Sequence, residues 1–471
     1  MSAAVGIDVG TSAVKAIAVD ERGNVVARAA ASYPLLTPRP GWSEQDPAHW
    51  WSATQEVLAA MPKPAGIGLS GQMHGLVTLD AADGVLRPAI LWNDQRTAAE
   101  CAEIEARIPD LIARTGNRAL TGFTAPKLLW MQRHEPELHT RISKVMLPKD
   151  YVRLRLTGEH ATDVADASGT LWLDVGGRDW SGAVLDALEV ERSWLPRLLE
   201  SPDVSGTTRS GVAVAAGAGD QAAGALGVGV VAPDGPLSVV LGTSGVVFAA
   251  HDQFAPDTEA RVHAFCHAVP GAWHTMGVML SAAGSFAWFR DAVGGEFDEL
   301  VAEAARWAPG CEGLTFLPYL AGERTPHADP EARGAFAGLS LRHNRGAIAR
   351  AVLEGVAFGL RDSLDLVAGD ASVGRVSGGG ARSAEWLRIV SSALELPLER
   401  TTVDEGAAYG AALLGGVAAG MWDDIGTAVA ATVSPSGRVE PVDAWIAPYR
   451  EARERFRTLY PALKSWRGEH A

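Results

Sequence analysis

Asp220 follows Gly217-Ala218-Gly219 and heads an Ala/Gly-rich stretch running to Gly224. A carboxylate on a glycine-rich turn can orient a substrate alcohol and take its proton during in-line attack on a phosphoryl group. The same position, just ahead of a helix, suits an N-cap, and the residues alone leave both roles open. Gln221 beside it can reach a second hydroxyl. The tripeptide Gly-Thr-Ser occurs twice, as Gly10-Thr11-Ser12 and Gly242-Thr243-Ser244. Each copy lies in an apolar, β-prone run, Val5 to Val19 and Leu237 to Ala250. Glycine removes the steric wall, and successive amides form a nest that suits phosphate oxygens. Ordinary turns use the same residue types. Two such hairpins half a chain apart point to a duplicated fold with two phosphate-facing loops across a cleft.

A third candidate lies where Val373 to Val376 run into Gly378-Gly379-Gly380-Ala381. Gly379, Gly380 and Ser383 then stand between a strand and a helix N-terminus, a place that suits phosphate or nucleotide. The spacing is neither a Rossmann G-x-G-x-x-G nor a Walker lysine loop. Asp8 ends the strand before the first Gly-Thr-Ser turn, where a turn-stabilising role is the plain alternative. His74, between Met73 and Gly75, follows a strand and can project from a loop into a cleft; a core histidine is its plain alternative. His263, Cys266 and His267 resemble metal ligands. A strand over residues 260–269 puts the two histidines on one face and the cysteine on the other, so no zinc site is expected.

The elements that must hold these residues are legible in outline. Val5, Ile7 and Val9 alternate into the Gly10 turn and Val14 to Val19 return, a hairpin extended by a strand over 25–31. Asp46 and Pro47 open a helix to about Ala60. A strand over 66–70 delivers the chain to Gln72-Met73-His74-Gly75. Residues 95–157 read as mostly helical, with breaks at Pro109, Gly116 and Gly122. Hairpin, long insert and Asp-headed Ala/Gly helix then recur, with Asp404-Glu405-Gly406 answering Asp220. Pro233-Asp234-Gly235-Pro236 is the hinge, dividing the chain into domains at 1–232 and 233–471.

At 471 residues the chain exceeds a single core. A formal charge of −15 argues against a nucleic-acid groove or an anionic membrane surface as partner. Three scattered cysteines, Cys101, Cys266 and Cys311, fit a reduced compartment. The first strand begins almost at Met1 and contains Asp8, so no signal peptide is expected. The uncharged run from Gly406 to Trp422 is short and rich in Ala and Gly, which reads as a tightly packed helix and not a membrane span. The expectation is a soluble cytoplasmic protein.

Taken together these segments resemble the FGGY carbohydrate kinases of the actin-like ATPase superfamily, and among them the bacterial xylulose kinases. Gly6-Ile7-Asp8-Val9-Gly10-Thr11-Ser12 and Leu241-Gly242-Thr243-Ser244-Gly245 resemble the two phosphate motifs. Val376-Ser377-Gly378-Gly379-Gly380-Ala381-Arg382-Ser383 resembles the adenosine motif. Trp42 to Pro47, Gln72 to Gly75, Leu91 to Asp94, Phe123 to Lys127 and Gly322 to His327 match as well. The resemblance implies two actin-like (ribonuclease H-like) α/β domains around a central cleft, ATP and Mg²⁺, and phosphorylation of D-xylulose. It implies Asp220 as base, Asp8 facing Mg²⁺, and Met73 and His74 lining the ketose site. The alternatives are a kinase for ribulose, glycerol or another polyol, an ATP-driven conformational switch, and a non-catalytic sugar sensor. A homodimer is permitted. Arg388 and Ser391-Ser392 depart from the family's usual residues and put the adenine side in question. Glu323 and Arg324 read equally well as part of a closing cleft or as an internal ion pair.

Overall fold

Two seven-stranded sheets form the framework of the computed structural model, which describes residues 2–367, 369 and 371–468. The first sheet runs in the order Val204–Thr207, Ala213–Ala215, Gly66–Gly71, Ala3–Val9, Ala13–Asp20, Val25–Ser32, with Ala218–Gly219 continuing beside Gly66–Gly71. Ala3–Val9 is antiparallel to the returning hairpin strand and parallel to Gly66–Gly71. The second sheet repeats this order and sense. Trp273–Met279, Gly245–His251 and Leu237–Leu241 form the antiparallel meander, and Gly374–Ser377 and Leu398–Thr401 follow in parallel. Pro435–Val439 closes one edge, as Val204–Thr207 does in the first sheet, and His263–Cys266 adds one strand at the other. The duplication expected from the paired hairpins is thus a duplication of whole sheets.

Small and large residues alternate along the central strands because different layers cover the two faces. Val5, Ile7, Val9, Ile67 and Leu69 join a core with Trp50 and Val57 from the Pro47–Ala59 helix. That helix begins as expected, with Asp46 accepting the Ala48 N–H at 2.9 Å and Pro47 in its first turn. The opposite face is lined by Gly6, Gly66 and Gly68. An added Cβ at Gly68 would lie 1.7 Å from Ala411 O, and one at Gly6 would lie 2.0 Å from Ala408 O. The layer seated there is the Ala407–Ala418 helix, so a segment of the C-terminal half completes the N-terminal sheet. It also crosses the Asp220–Gly227 helix closely enough that a Cβ on Gly410 would meet Ala223 O at 1.9 Å.

A core of the second half gathers Val239, Leu241, Phe286, Leu353 and Trp386. Another spans both halves, joining Met73, Phe123 and Leu128 to Phe248, Phe265 and Val278 of the second sheet. Among the described residues no helix is long and apolar enough to cross a membrane. Two local expectations change. Residues 95–157 also contain the short strand Lys144–Met146, which pairs with Val77–Leu79. The strand expected over 260–269 is only His263–Cys266, since Ala260 takes φ 49° and breaks the extension.

Candidate active site

Strand register brings the first group of residues together. Val9 pairs with Gly71, and Gly71 in turn with Gly219, so three parallel strands end at one level. From these ends spring the Gly10-Thr11-Ser12 turn, the Gln72-Met73-His74 loop and Asp220. Carboxyl ends of parallel strands are where α/β folds open a crevice for ligands.

Asp220 is the first residue of its helix, and Gly219 occupies the N-cap position without a side-chain bond. The capping role left open by the residues is therefore not the one adopted. Among the described residues its carboxylate bonds only to Gln221, through Nε2 at 3.4 Å and through the backbone N–H. Burial, then the charge of Asp8, pushes its pKa to about 7. Asp8 is shifted upward as well, chiefly by burial, with Ser70 and Lys15 on the neighbouring strands opposing the shift. Among the described residues Asp8 Oδ1 is a buried acceptor without a hydrogen-bond partner. The Asp220 turn lies flush on Met73, since a Cβ at Gly219 would come within 2.7 Å of Met73 Cγ and 3.2 Å of Asp166 Oδ1. Below it Lys149 Nζ holds Asp150, Asp163 and Asp166 at 2.8, 2.7 and 2.8 Å, a buried charged cluster that ties the Asp163–Ala167 segment to the Pro148–Thr157 helix.

His74 sits in the left-handed region, φ 68°. Its backbone is clamped there, because His74 O accepts both Thr124 Oγ1 (3.1 Å) and Lys127 Nζ (2.8 Å). Its Nδ1 lies 3.0 Å from Gly169 O, and a carbonyl only accepts, so Nδ1 carries the proton and Nε2 is left as an acceptor. Phe123 packs edge-on at 4.6 Å. Burial, with Lys127, His263 and Arg324 adding to it, keeps the ring neutral.

The first turn is held by a polar network. Trp50 Nε1 and Gln72 Nε2 donate to Gln45 Oε1 (3.0 and 2.9 Å), Gln45 Nε2 donates to Thr11 O, and Thr11 Oγ1 donates to Gln72 Oε1 (3.2 Å). Trp92 Nε1 donates to the same hydroxyl at 3.0 Å. Thr11 is therefore a positioned residue whose hydroxyl is engaged, while Ser12 is exposed. Gln45, Gln72 and Lys127 lie in recognisable segments, yet their contacts join residues far apart in the chain, and spacing carries no sign of them.

In the second half, Gly242 O and Thr243 O accept N–H groups from Ala282, Ala283 and Gly284, at 2.8 to 3.1 Å, which fixes the turn. Thr243 and Ser244 remain exposed. The glycine triad adjoins this turn, since a Cβ on Gly378 would lie 2.7 Å from Leu241 O and 2.9 Å from Gly242 N. Gly379 has open space at the Cβ position, whereas Gly380 is packed on Leu241 and Trp386. Ser383 caps the next helix by accepting Trp386 N–H at 3.2 Å. The unusual residues of that helix face elsewhere. Arg388 pairs with Glu385 and lies over Trp445, and Ser391 and Ser392 bond to backbone carbonyls.

His263 and His267 do not converge with Cys266. His263 Nδ1 meets Asn117 Oδ1, His267 Nε2 meets Val230 O, and the described residues contain no cluster of three or more metal-binding side chains. Nor do Glu323 and Arg324 form an ion pair. Glu323 Oε1 accepts the backbone N–H of Leu280 and of Arg324, at 3.0 and 2.7 Å.

Models of the FGGY family of carbohydrate kinases match this chain over residues 3–227 for the N-terminal domain and 237–419 for the C-terminal domain. A xylulose kinase of Escherichia coli (strain K12) is 45% identical over 480 residues, covering 98% of this chain and 99% of the relative. One from Klebsiella pneumoniae is 44% identical over 482 residues, with the same shares covered. The crystal structure of a xyloylose kinase from Brucella ovis superposes with a TM-score of 0.94 at 44% identity, covering 98% of this chain and all of that one.

Proposed function

Since the chain belongs to the FGGY family of carbohydrate kinases, we propose that it transfers the γ-phosphoryl group of ATP to D-xylulose, giving D-xylulose 5-phosphate and ADP. The observation that carries this reading is the setting of Asp220. It is an almost unpartnered carboxylate with a pKa near 7, at the strand ends beside Asp8 and over Met73. Relatives named xylulose kinases, similar along almost their whole length, support the choice of sugar.

In this reading residues 1–232 supply the sugar site, the first phosphate turn and the base, and residues 233–471 the second phosphate turn and the glycine triad. His74 Nε2 accepts a hydrogen bond from a sugar hydroxyl, and Met73 and Gln221 line the same pocket. Asp220 accepts the proton of the terminal hydroxyl as that oxygen attacks phosphorus in line. The Gly10-Thr11-Ser12 turn, whose Gly10 N–H is already bonded to Ala13 O, offers the Thr11 and Ser12 amides to the phosphates, as Gly242 to Ser244 do from the second half, with Gly379, Gly380 and Ser383 on the adenosine side. The buried Asp8 Oδ1, without a hydrogen-bond partner among the described residues, fits Mg²⁺ that keeps most of its waters. Asp8 would hold it, and when bound it neutralises phosphate charge. Sugar binding favours closure of the halves and exclusion of water. Phosphorylation of a sugar by ATP fits a cytoplasmic protein.

A coupled ADP-release assay across pentuloses and polyols tests the proposal. Saturable turnover with D-xylulose above all others is expected. Preference for ribulose or glycerol would reassign the substrate, and slow turnover indifferent to sugar would replace the kinase with a switch.

A further inference from the structure

Arg324 is a cation of the C-terminal half whose guanidinium has no hydrogen-bond or ion-pair partner among the described residues. The segment that carries it is pinned to the second sheet, since Thr325 N–H donates to Val278 O (2.9 Å) and Thr325 Oγ1 receives Val278 N–H (3.0 Å). Glu323 is committed to backbone N–H groups, and burial lifts its pKa to about 8, so it acts on the guanidinium only through space and takes none of its donors. Arg324 is half-buried, and its guanidinium makes no hydrogen bond or ion pair with any described residue. A guanidinium withdrawn from water with its donors unused is costly, and the cost is relieved where a ligand supplies acceptors.

The surroundings say which part of the site it meets. The rings of His74, Phe123 and His263 form a continuous wall, with centroids 4.6 and 5.7 Å apart. Thr325 Oγ1 also donates to Arg261 O at 3.0 Å, two residues before His263, so the segment carrying Arg324 borders this wall at its His263 end. The Asp220 turn lies instead on Met73, so Arg324 and the base approach the wall from different elements. Arg324 offers donors only, while His74 Nε2 offers an acceptor only. An open-chain 2-ketose attacking through its terminal hydroxyl carries its carbonyl away from the base, and a carbonyl oxygen is an acceptor only.

We propose that Arg324 hydrogen bonds the carbonyl end of the ketose and is the residue by which the C-terminal half selects ketoses over polyols; the inference rests on the sugar-kinase reading above. The test compares the parent with Arg324→Gln and Arg324→Lys, using D-xylulose and the corresponding pentitol, each followed as substrate or as competitive inhibitor. Arg324→Gln should raise the KM for xylulose about tenfold to a hundredfold, leave the KM for ATP within about twofold, and hardly change pentitol affinity. The ketose preference therefore collapses. Arg324→Lys keeps the charge without the planar fork and should fall between. Equal losses for ketose and pentitol would mark a structural role and overturn the assignment, as would unchanged ratios in both variants. No ion pair is lost, so both proteins should melt near the parent; if Arg324→Gln does not fold, the Lys variant decides. A parent inactive on xylulose would instead overturn the functional reading.

Discussion

Asp220 must be ionised to take a proton, yet burial and Asp8 push its pKa to about 7. The rate constant kcat/KM should therefore fall about tenfold per pH unit on the acid side of 7, as a pH–rate profile would record. Asp220→Asn removes the base and should lower kcat by about two orders of magnitude or more, with xylulose and ADP binding still measurable by calorimetry. Its stability should move the other way. The folded carboxyl binds its proton near 7 and the unfolded one near 3.8, so ionisation costs the fold stability fully above the higher value and not at all below the lower. The Asn variant should melt at or above the parent temperature at pH 8 and match it near pH 4. A cap in that position would have predicted a loss at both. For His74→Ala the pocket loses the acceptor Nε2, and the KM for xylulose should rise while the KM for ATP stays put. Unchanged sugar kinetics in a folded variant would remove His74 from the site.

Turns and helices separate chemistry from packing. At Gly242 an added Cβ meets nothing closer than 3.4 Å, so Gly242→Val can fold and would fill the space above the turn. ADP affinity should drop while sugar binding survives, which separate titrations would show. Gly68 is the contrary case. Its missing side chain is occupied by the backbone of the Ala407–Ala418 helix, and Gly68→Ala should cost at least about 1–3 kcal/mol in urea unfolding. Gly224→Ala is the control, since its Cβ would meet no atom within 4 Å and alanine favours the helix by up to about 1 kcal/mol. Periodicity and capping residues revealed the hairpins, the Pro47–Ala59 helix and the Ala/Gly helices, because those signals are local. The network of Gln45, Gln72, Thr11 and Trp92 and the clamp of Lys127 on His74 O were not legible, since each joins residues that only the fold makes neighbours.

At the scale of the whole molecule, the two halves are interwoven. The sequence suggests a division at Pro233, but the Ala407–Ala418 helix returns to cover the first sheet, and His267 Nε2 grips Val230 O beside the crossover. A fragment of residues 1–232 should therefore lack a cooperative melt by circular dichroism, and a fragment that unfolds in a single sharp transition would contradict this packing. The same interlacing governs the order of events during synthesis. The half made first leaves the ribosome with the Gly6, Gly66 and Gly68 face of its sheet still lacking the Ala407–Ala418 helix that packs on it. A chain terminated before residue 407 thus presents an open, glycine-lined surface to proteases, and catalytic competence becomes a test that translation has carried past the Ala407–Ala418 helix.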